Sequence, residues 1–257
     1  PTSNITYTVD AIDSNGCSAS STSLMTVNPL PIIVPSSVDS SICLGTSTVL
    51  SASGAITYVW SPSIGLSSST GNSVTCNTQS SINYTVTGTN ANGCSALASI
   101  PVTVYSLPSV TISNNPSICP GSFATLTASG ALNYLWSTNA IGNIISVNPI
   151  ITTSYTVTGT DANGCTSKDT ATVTLFVPPL ITANALQTGI CNGASTTLTA
   201  SGALNFSWSP SAGISSTSGT SLTANPILST TYTIIGTDIN GCKDTTTLPI
   251  TVNPLPS

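Results

Sequence analysis

The sequence predicts an all-β protein, built as a tandem array of small Ig-like antiparallel β-sandwiches. The first observation is a repeat: TVTGTDANGCTSKDTATVTL at 156–175 has counterparts at 8–27, 85–104 and 233–252. The second is alternation with period two, which is typical of a half-buried strand. The third is frequent turn residues between short runs of Thr, Val, Ile and Tyr, with no helical stripe.

Proline-rich joints divide the chain into one partial and three complete modules. Each joint, VNPLP, VYSLP or VPP, follows one copy of the repeated hairpin. We expect residues 1–31 to be the C-terminal remnant of a preceding Ig-like module. The complete modules one, two and three are expected at 32–108, 109–179 and 180–257.

Each complete module carries the same landmarks in the same order. A leading cysteine in SICLG, SICPG or GICNG is followed by a strand that ends in Ser-Gly-Ala, and seventeen residues after that cysteine comes a tryptophan. We expect the tryptophans to be core anchors. A tyrosine then opens the repeated hairpin, in a position resembling a tyrosine corner. The tryptophans and tyrosines are Trp60, Trp136 and Trp208, and Tyr84, Tyr155 and Tyr232.

The composition excludes most enzymatic and nucleic-acid roles. The chain has seven Asp and two Lys as its charged residues, a net charge of -5, and no His, Glu or Arg. The usual general acids, general bases and oxyanion donors are therefore nearly all missing, and no basic stripe could bind phosphate. No apolar run reaches the roughly 18 residues of a membrane span. We expect no enzyme, no cofactor, no nucleic acid and no membrane insertion in this segment.

The repeated hairpins turn at Asn-Gly, a pair that favours positive φ and a tight turn. A turn cysteine follows each pair: Cys17, Cys94, Cys165 and Cys242. The alternative interpretation of the turn is a calcium loop, because Asp161-Ala-Asn163-Gly164 resembles part of one. A complete calcium site needs six to eight oxygens, and module one has Asn90 where Asp161 stands. We therefore favour the plain turn and expect no metal.

The whole chain resembles a family. The combination SICPGSFATLTASGALNYLWS with TTSYTVTGTDANGCTSKDTATVTL is similar to the tandem Ig-like or PKD-like modules of large secreted surface proteins of Bacteroidota. Such proteins are exported by type IX secretion and are of the gliding-motility-associated type. The resemblance implies an extracellular or cell-surface location. Eight cysteines in a chain with almost no charge also indicate an oxidising compartment.

Two disulfide patterns remain open. The spacing pairs cysteines within modules, as Cys43–Cys94, Cys119–Cys165 and Cys191–Cys242, and the resemblance favours this pattern. In an Ig sandwich, however, the two cysteines of a module lie at opposite ends. The alternative joins consecutive modules, as Cys43–Cys165 and Cys119–Cys242. Cys17 has no partner in the remnant, and Cys76 is expected to be a small buried hydrophobe, with an intermolecular link as the alternative.

Covalent sugar could hydrate a surface with so few charges. Thr170 and Thr245 follow Asp in the Asp-Ser/Thr-apolar pattern of Bacteroidota O-glycosylation, a feature implied by the resemblance. Asn4, Asn83 and Asn205 fit the N-glycosylation pattern. The last two fall in predicted strands, where an ordinary strand residue is the better interpretation.

Two classes of function remain. The first is a structural extracellular repeat protein that forms or extends a surface filament or stalk, glycosylated and self-associating. The second is an adhesin-type array that binds glycan or another cell surface. A recognition face is normally enriched in Tyr, Trp and Arg, and here Trp occurs only at the core landmark. Pro101 and Pro249 place the last strand of a module at an edge or bulge, where subunits could meet. We favour the structural role.

Overall fold

The computed structural model describes residues 1–256, which form strands, turns and loops and contain no helix. The chain divides into two compact units, Pro1–Leu107 and Pro108–Ser257. Each unit is built from small, mainly antiparallel sheets in the order expected for Ig-like sandwiches. The predicted fold class, an all-β tandem array of such sandwiches, is confirmed.

The first unit contains a two-stranded hairpin and one complete sandwich. Strands β1 (Ile5–Ile12) and β2 (Ser18–Met25) form the hairpin. The sandwich of module one has seven strands: β3 (Val34–Ser37), β4 (Ser41–Cys43), β5 (Thr48–Ser53), β6 (Thr57–Ser61), β7 (Ser73–Cys76), β8 (Ile82–Thr89) and β9 (Ser95–Tyr105). One of its sheets has the order β3-β5-β7 and the other β4-β9-β8-β6.

The second unit contains two sandwiches of the same topology. Module two consists of β10 (Thr111–Ile112), β11 (Ser117–Ile118), β12 (Ala124–Ser129), β13 (Asn133–Trp136), β14 (Ile144–Val147), β15 (Thr153–Thr160) and β16 (Thr166–Leu175). Module three consists of β17 (Thr182–Ala185), β18 (Gly189–Cys191), β19 (Thr196–Ser201), β20 (Asn205–Ser209), β21 (Ser221–Ala224), β22 (Thr230–Thr237) and β23 (Lys243–Asn253). Their sheets repeat the orders found in module one.

Each module has its own core, built from the period-two pattern. In β8, alternate residues such as Tyr84 and Val86 are buried while their neighbours face outward. The three buried clusters run from about Ile33 to Val104, Val110 to Val173, and Ile181 to Val252, so no cluster draws residues from two predicted modules. The module boundaries named above lie between these clusters.

The last strand of each module pairs on one side with a very short parallel strand. In module one, β4 covers only Thr103–Tyr105 of β9. The part of β9 around Pro101 therefore has a free edge, where a residue without an N–H can sit. Pro249 lies in the same way just before the residues of β23 that pair with β18. Both prolines lie at such an edge, which is one of the two positions expected for them.

The Ser-Gly-Ala turn closes each module against the residues that begin it. Gly130 has a φ of +93°, and a Cβ at this position would lie 1.8 Å from the carbonyl oxygen of Ser109. Gly54 and Gly202 make the same close approach to Ile32 and Leu180. A side chain is therefore excluded both by the left-handed conformation and by the neighbouring backbone.

We expect Gly130→Ala to destabilise module two more than Gly121→Ala does. Gly121 also has a positive φ, but an added Cβ there meets nothing within 4 Å. The conformational strain alone costs about 1–2 kcal/mol, and the clash at Gly130 adds about 1–3 kcal/mol. Amide hydrogen exchange of module-two peptides measures both variants. Equal protection in the two variants would contradict the close approach.

Candidate functional site at the module joint

The tryptophans lie where the sequence places the core anchors. Trp60, Trp136 and Trp208 are 1%, 1% and 3% exposed. Each indole Nε1 donates a hydrogen bond to a glycine carbonyl in the loop that follows, at 3.0, 2.8 and 2.9 Å, with Gly71, Gly142 and Gly219 as the acceptors. The tryptophan thus fills the core and also ties down the loop after its own strand.

The tyrosines that open the hairpins are also buried, but Tyr84 and Tyr232 do not form tyrosine corners. The hydroxyl of Tyr84 donates to the carbonyl of Ile64 at 2.6 Å, and that of Tyr232 donates to Ala212 at 2.7 Å. Both acceptors lie twenty residues upstream, whereas a tyrosine corner bonds only a few residues back. The segment between Trp136 and Tyr155 in module two is shorter than the corresponding segments of modules one and three.

Burial changes the acidity of two of these hydroxyls. Burial, together with a hydrogen bond from the Cys76 thiol, raises the pKa of Tyr84 to about 12. Burial alone raises the pKa of Tyr232. Cys76 lies in the core of module one, 0% exposed, with its Sγ 3.5 Å from the Tyr84 hydroxyl oxygen. Cys76 is thus a small buried side chain in this structure.

The hairpin turns have a different geometry from the one that Asn-Gly suggests. In module three, the Gly241 N–H donates to the Asp238 carbonyl at 3.2 Å and the Asp238 N–H to the Cys242 carbonyl at 2.9 Å. Gly241 has a φ of +82°, whereas Asn240 is not among the residues with positive φ. The turn therefore needs only its glycine in the left-handed region, because a bulge at Gly241 provides the twist of the hairpin.

The first residue of each turn holds the turn together with its side chain. Oδ1 of Asp238 accepts the N–H groups of Asn240 and Cys242, at 2.9 and 2.8 Å. Oδ1 of Asn90 does the same in module one. An amide oxygen serves as well as a carboxylate oxygen, so Asp and Asn can replace one another. The sequence pattern indicated the equivalent Asp161 only as part of a calcium loop and missed this role, which Asp161 also has.

A disulfide joins modules two and three. Cys119 is bonded to Cys242, with a Cα–Cα distance of 5.3 Å. Cys94 and Cys191 are free thiols, so Cys43, which takes part in a disulfide, is not bonded to Cys94. Cys165 is also in a disulfide. The within-module pairing Cys43–Cys94, Cys119–Cys165 and Cys191–Cys242 is therefore wrong in this structure, and neither Cys94 nor Cys191 is in a disulfide.

The strand register explains why Cys119 is not bonded to Cys165. The short strand β11 runs parallel to β16 and pairs Ile118 with Leu175, so Cys119 lies beside the end of β16. Cys165 immediately precedes the start of β16. At about 3.3 Å per residue, the ten residues of β16 separate the two cysteines by roughly 30 Å. A disulfide needs Cα atoms about 4.4–6.8 Å apart.

The same register brings the leading cysteine to the joint. The Phe176 N–H donates to the Ile118 carbonyl at 2.9 Å, which extends the pairing one residue past β16. Val177–Pro179 then lead directly into module three. The leading cysteine of module two and the turn cysteine of module three thus face each other across a joint of a few residues.

The five predicted acceptor residues for sugar are all exposed, and they lie mainly in strands. Thr170 lies in β16 and Thr245 in β23, each with its N–H bonded to the carboxylate of the preceding Asp. Asn83 lies in β8 and Asn205 begins β20. The side chain of Asn4 accepts the N–H of Val27 at 2.7 Å.

Two further features of residues 1–256 concern metal ions and membranes. No group of three or more His, Cys, Asp or Glu side chains is placed to hold a metal ion in this part of the chain. No helix there is long and apolar enough to span a bilayer.

The chain has no match among family models or curated proteins. Solved structures that it resembles include a Ca2+-stabilised adhesin that helps an Antarctic bacterium bind ice (13% identity, covering 98% of this chain and 82% of that one, TM-score 0.37). A 1.5-MDa bacterial ice-binding adhesin gives 14% identity, coverage of 89% and 100%, and a TM-score of 0.31. The N-terminal Ig domains of Down Syndrome Cell Adhesion Molecule give 13% identity, coverage of 98% of this chain and 44% of that one, and a TM-score of 0.29. TM-scores this low carry no argument about function.

We expect Trp136→Ala to destabilise module two by about 3–5 kcal/mol, because the change empties the core and frees the loop at Gly142. Leu135→Ala is the matched control, since Leu135 precedes Trp136 on the same strand and is 51% exposed. Hydrogen exchange of module-two peptides measures both. Similar protection in the two variants would place the indole outside the core.

The raised pKa of Tyr84 predicts a loss of stability in alkali. The folded module holds the hydroxyl proton up to a pH of about 12, whereas the unfolded chain releases it near 10.0. The contribution of the Tyr84 hydroxyl to the free energy of unfolding is therefore complete below pH 10 and is lost as the pH rises towards 12.

Urea unfolding, followed by circular dichroism at pH values from 10 to 12, measures this loss of stability. Tyr84→Phe loses a hydrogen bond, at a cost of about 1 kcal/mol at neutral pH. The variant should then lose less stability than the wild type on going from pH 10 to 12. Equal losses would show that Tyr84 does not cause the dependence.

Proposed function

We propose that this chain is a structural segment of an extracellular repeat protein, in which linked Ig-like modules extend a surface filament or stalk. The observation that carries the proposal is the Cys119–Cys242 disulfide, which ties one module to the next. A bond within a module would support only the stability of that module. A bond across a joint restricts how the modules move relative to one another, which is what a spacer requires.

The joint itself favours limited reorientation. Val177–Pro179 provide a short connection, and two of its three residues are proline, which is stiffer than a Gly/Ser linker. The disulfide adds a second covalent connection beside it. With two connections, modules two and three cannot turn freely about a single chain.

The location follows from the same chemistry. Disulfides persist in oxidising compartments and are rare in the cytosol. The disulfide between modules two and three therefore supports an extracellular or cell-surface site, as the family resemblance implies.

The surface supports self-association as a further part of the proposal. Only nine of the 257 residues are charged, and large apolar side chains such as Ile141, Ile150 and Ile239 are more than four-fifths exposed. Such a surface lacks the charge that normally keeps subunits apart. Exposed Thr170 and Thr245 are the favoured positions for sugar that would cover part of it.

The alternative is an adhesive array that binds glycan or another cell surface. Sugar-binding and protein-binding faces usually present exposed aromatic side chains. In this chain the three tryptophans are buried, as are Tyr58, Tyr84, Tyr134 and Tyr232. Phe123 and Tyr7 are exposed, but most of the aromatic side chains lie in the cores, which favours the structural role over the adhesive one.

Limited proteolysis tests the role of the disulfide at the joint. Chymotrypsin can cleave after Phe176, which leads into the joint. Cleavage tracks the fraction of time that the site is open, so Cys242→Ser should raise the rate several-fold. Cys191→Ser is the matched control, because Cys191 is an exposed free thiol. Equal rates in the wild type and Cys242→Ser would show that the bond does not hold the joint.

Electron microscopy and intact-mass measurement of native material test the assembly. We expect filaments or stalks at low micromolar concentration and an added mass of sugar. Single particles with no added mass would contradict self-association and glycosylation. Saturable binding to a glycan array by such particles would instead favour the adhesive alternative.

A further inference from the structure

The Cys119–Cys242 bond joins two positions at which the other modules also have cysteines. It joins the leading cysteine of one module to the turn cysteine of the next module along the chain. Cys191 is the leading cysteine of module three, and Cys94 is the turn cysteine of module one. Both are free thiols here. Each therefore has the position of one half of the bond that the structure contains.

We propose that Cys94 and Cys191 are intermodule linkage sites. Cys94 bonds the leading cysteine of a preceding module, and Cys191 bonds the turn cysteine of a following module. The neighbouring module belongs to the same polypeptide. The result is a disulfide of the same kind on either side of this segment as the one that joins modules two and three.

The surroundings of Cys94 match those of Cys242. The Cys94 N–H is held by Oδ1 of Asn90 at 3.0 Å, as the Cys242 N–H is held by Asp238. The Asn90 side chain also donates to the carbonyl of Pro29 at 3.1 Å, and the Cys94 Sγ lies 3.8 Å from the carbonyl oxygen of Asn28. The turn of module one thus lies against the segment that leaves β2.

The β1–β2 hairpin supplies a second, independent observation. Tyr7, Val9 and Met25 are 49%, 68% and 48% exposed. The residues of module one in the same register positions are 0–1% exposed: Tyr84, Val86 and Val102. The hairpin therefore presents the inner face of a sandwich. We assign this face to the remaining strands of the module that carries the leading cysteine for Cys94.

Cys191 lies at the end of its module that is opposite the hairpin turn, as Cys119 does in module two. It pairs with Asn253 near the end of β23, and the Asn192 N–H extends this pairing by donating to the Asn253 carbonyl at 2.9 Å. Its thiol is exposed. A module that continued from β23 as module three continues from β16 would bring its turn cysteine to this thiol.

Each bond forms by thiol–disulfide exchange. The two cysteine thiols lose two protons and two electrons and form one S–S bond. A low-molecular-weight disulfide such as oxidised glutathione accepts the electrons and becomes two thiols. An extracellular setting supplies oxidants of this class.

Disulfide mapping of native, unreduced protein tests the proposal, with Cys119–Cys242 as the internal control. We expect the Cys94 peptide to be linked to a peptide of the Ile-Cys-X-Gly type and the Cys191 peptide to one of the Asn-Gly-Cys type. Free thiols, glutathione adducts, or pairs of two turn cysteines would overturn the proposal. A gel ladder that collapses on reduction would show that the neighbour is a second copy of the chain, which would also overturn the proposal.

An extended chain tests Cys191 directly. A second copy of residues 180–257 is placed after Ser257 and marked by Lys243→Arg, which gives its turn peptide its own mass. We expect one additional disulfide, between Cys191 and the marked turn cysteine, with the loss of two hydrogens in the intact mass. Cys191→Ser in the same extended chain should abolish it. A marked turn cysteine that stays reduced in the folded, extended chain would overturn the proposal.

The inference rests on the proposed function only in treating the disulfide as a link between modules. Its failure is distinguishable from failure of that function. Free thiols at Cys94 and Cys191 beside an intact Cys119–Cys242 bond would overturn the two proposed links alone. Loss of the Cys119–Cys242 bond from native material would remove the basis of both.

Discussion

The parallel pairing between a short leading strand and the far end of the last strand is the constraint on which the module depends. It holds Cys43 beside Tyr105 in module one and Cys191 beside Asn253 in module three. The turn cysteine of the same module lies at the other end of that last strand, eleven residues away in both modules. The leading and turn cysteines of each sandwich therefore lie at its opposite ends. Only a neighbouring module can bring a leading cysteine and a turn cysteine together.

Each end of the sandwich is built from backbone interactions that tolerate few substitutions. At one end, the Ser-Gly-Ala turn lets the chain approach the first residues of its own module without a Cβ in the way. In the middle strands, Gly88, Gly159 and Gly236 leave space that Ile33, Val110 and Ile181 fill. Small residues thus allow a module of about seventy residues to close around one tryptophan. Hydrogen bonds from the tryptophan indoles help to hold its loops.

A surface of hydroxyls and exposed apolar side chains suits a protein that acts as a member of an array. Ser and Thr make up 88 of the 257 residues, and pairs on the outer face such as Thr156 with Thr170 bond across neighbouring strands at 2.8 Å. Few charges oppose contact between copies or between modules. The disulfide between modules two and three limits how these two modules move relative to one another.

The sequence by itself determined the module pattern, the strands and the core. Period-two alternation, the invariant spacing from leading cysteine to tryptophan, and the glycine turns are local signals, and local signals are readable from a single chain. The choice between two disulfide patterns was not local. Both patterns pair a leading cysteine with a turn cysteine, and only the register of β11 on β16 places Cys119 beside Cys242 and far from Cys165. Tertiary structure also decided that Asp238 and Asn90 cap turns, since their acceptor role depends on where backbone N–H groups point.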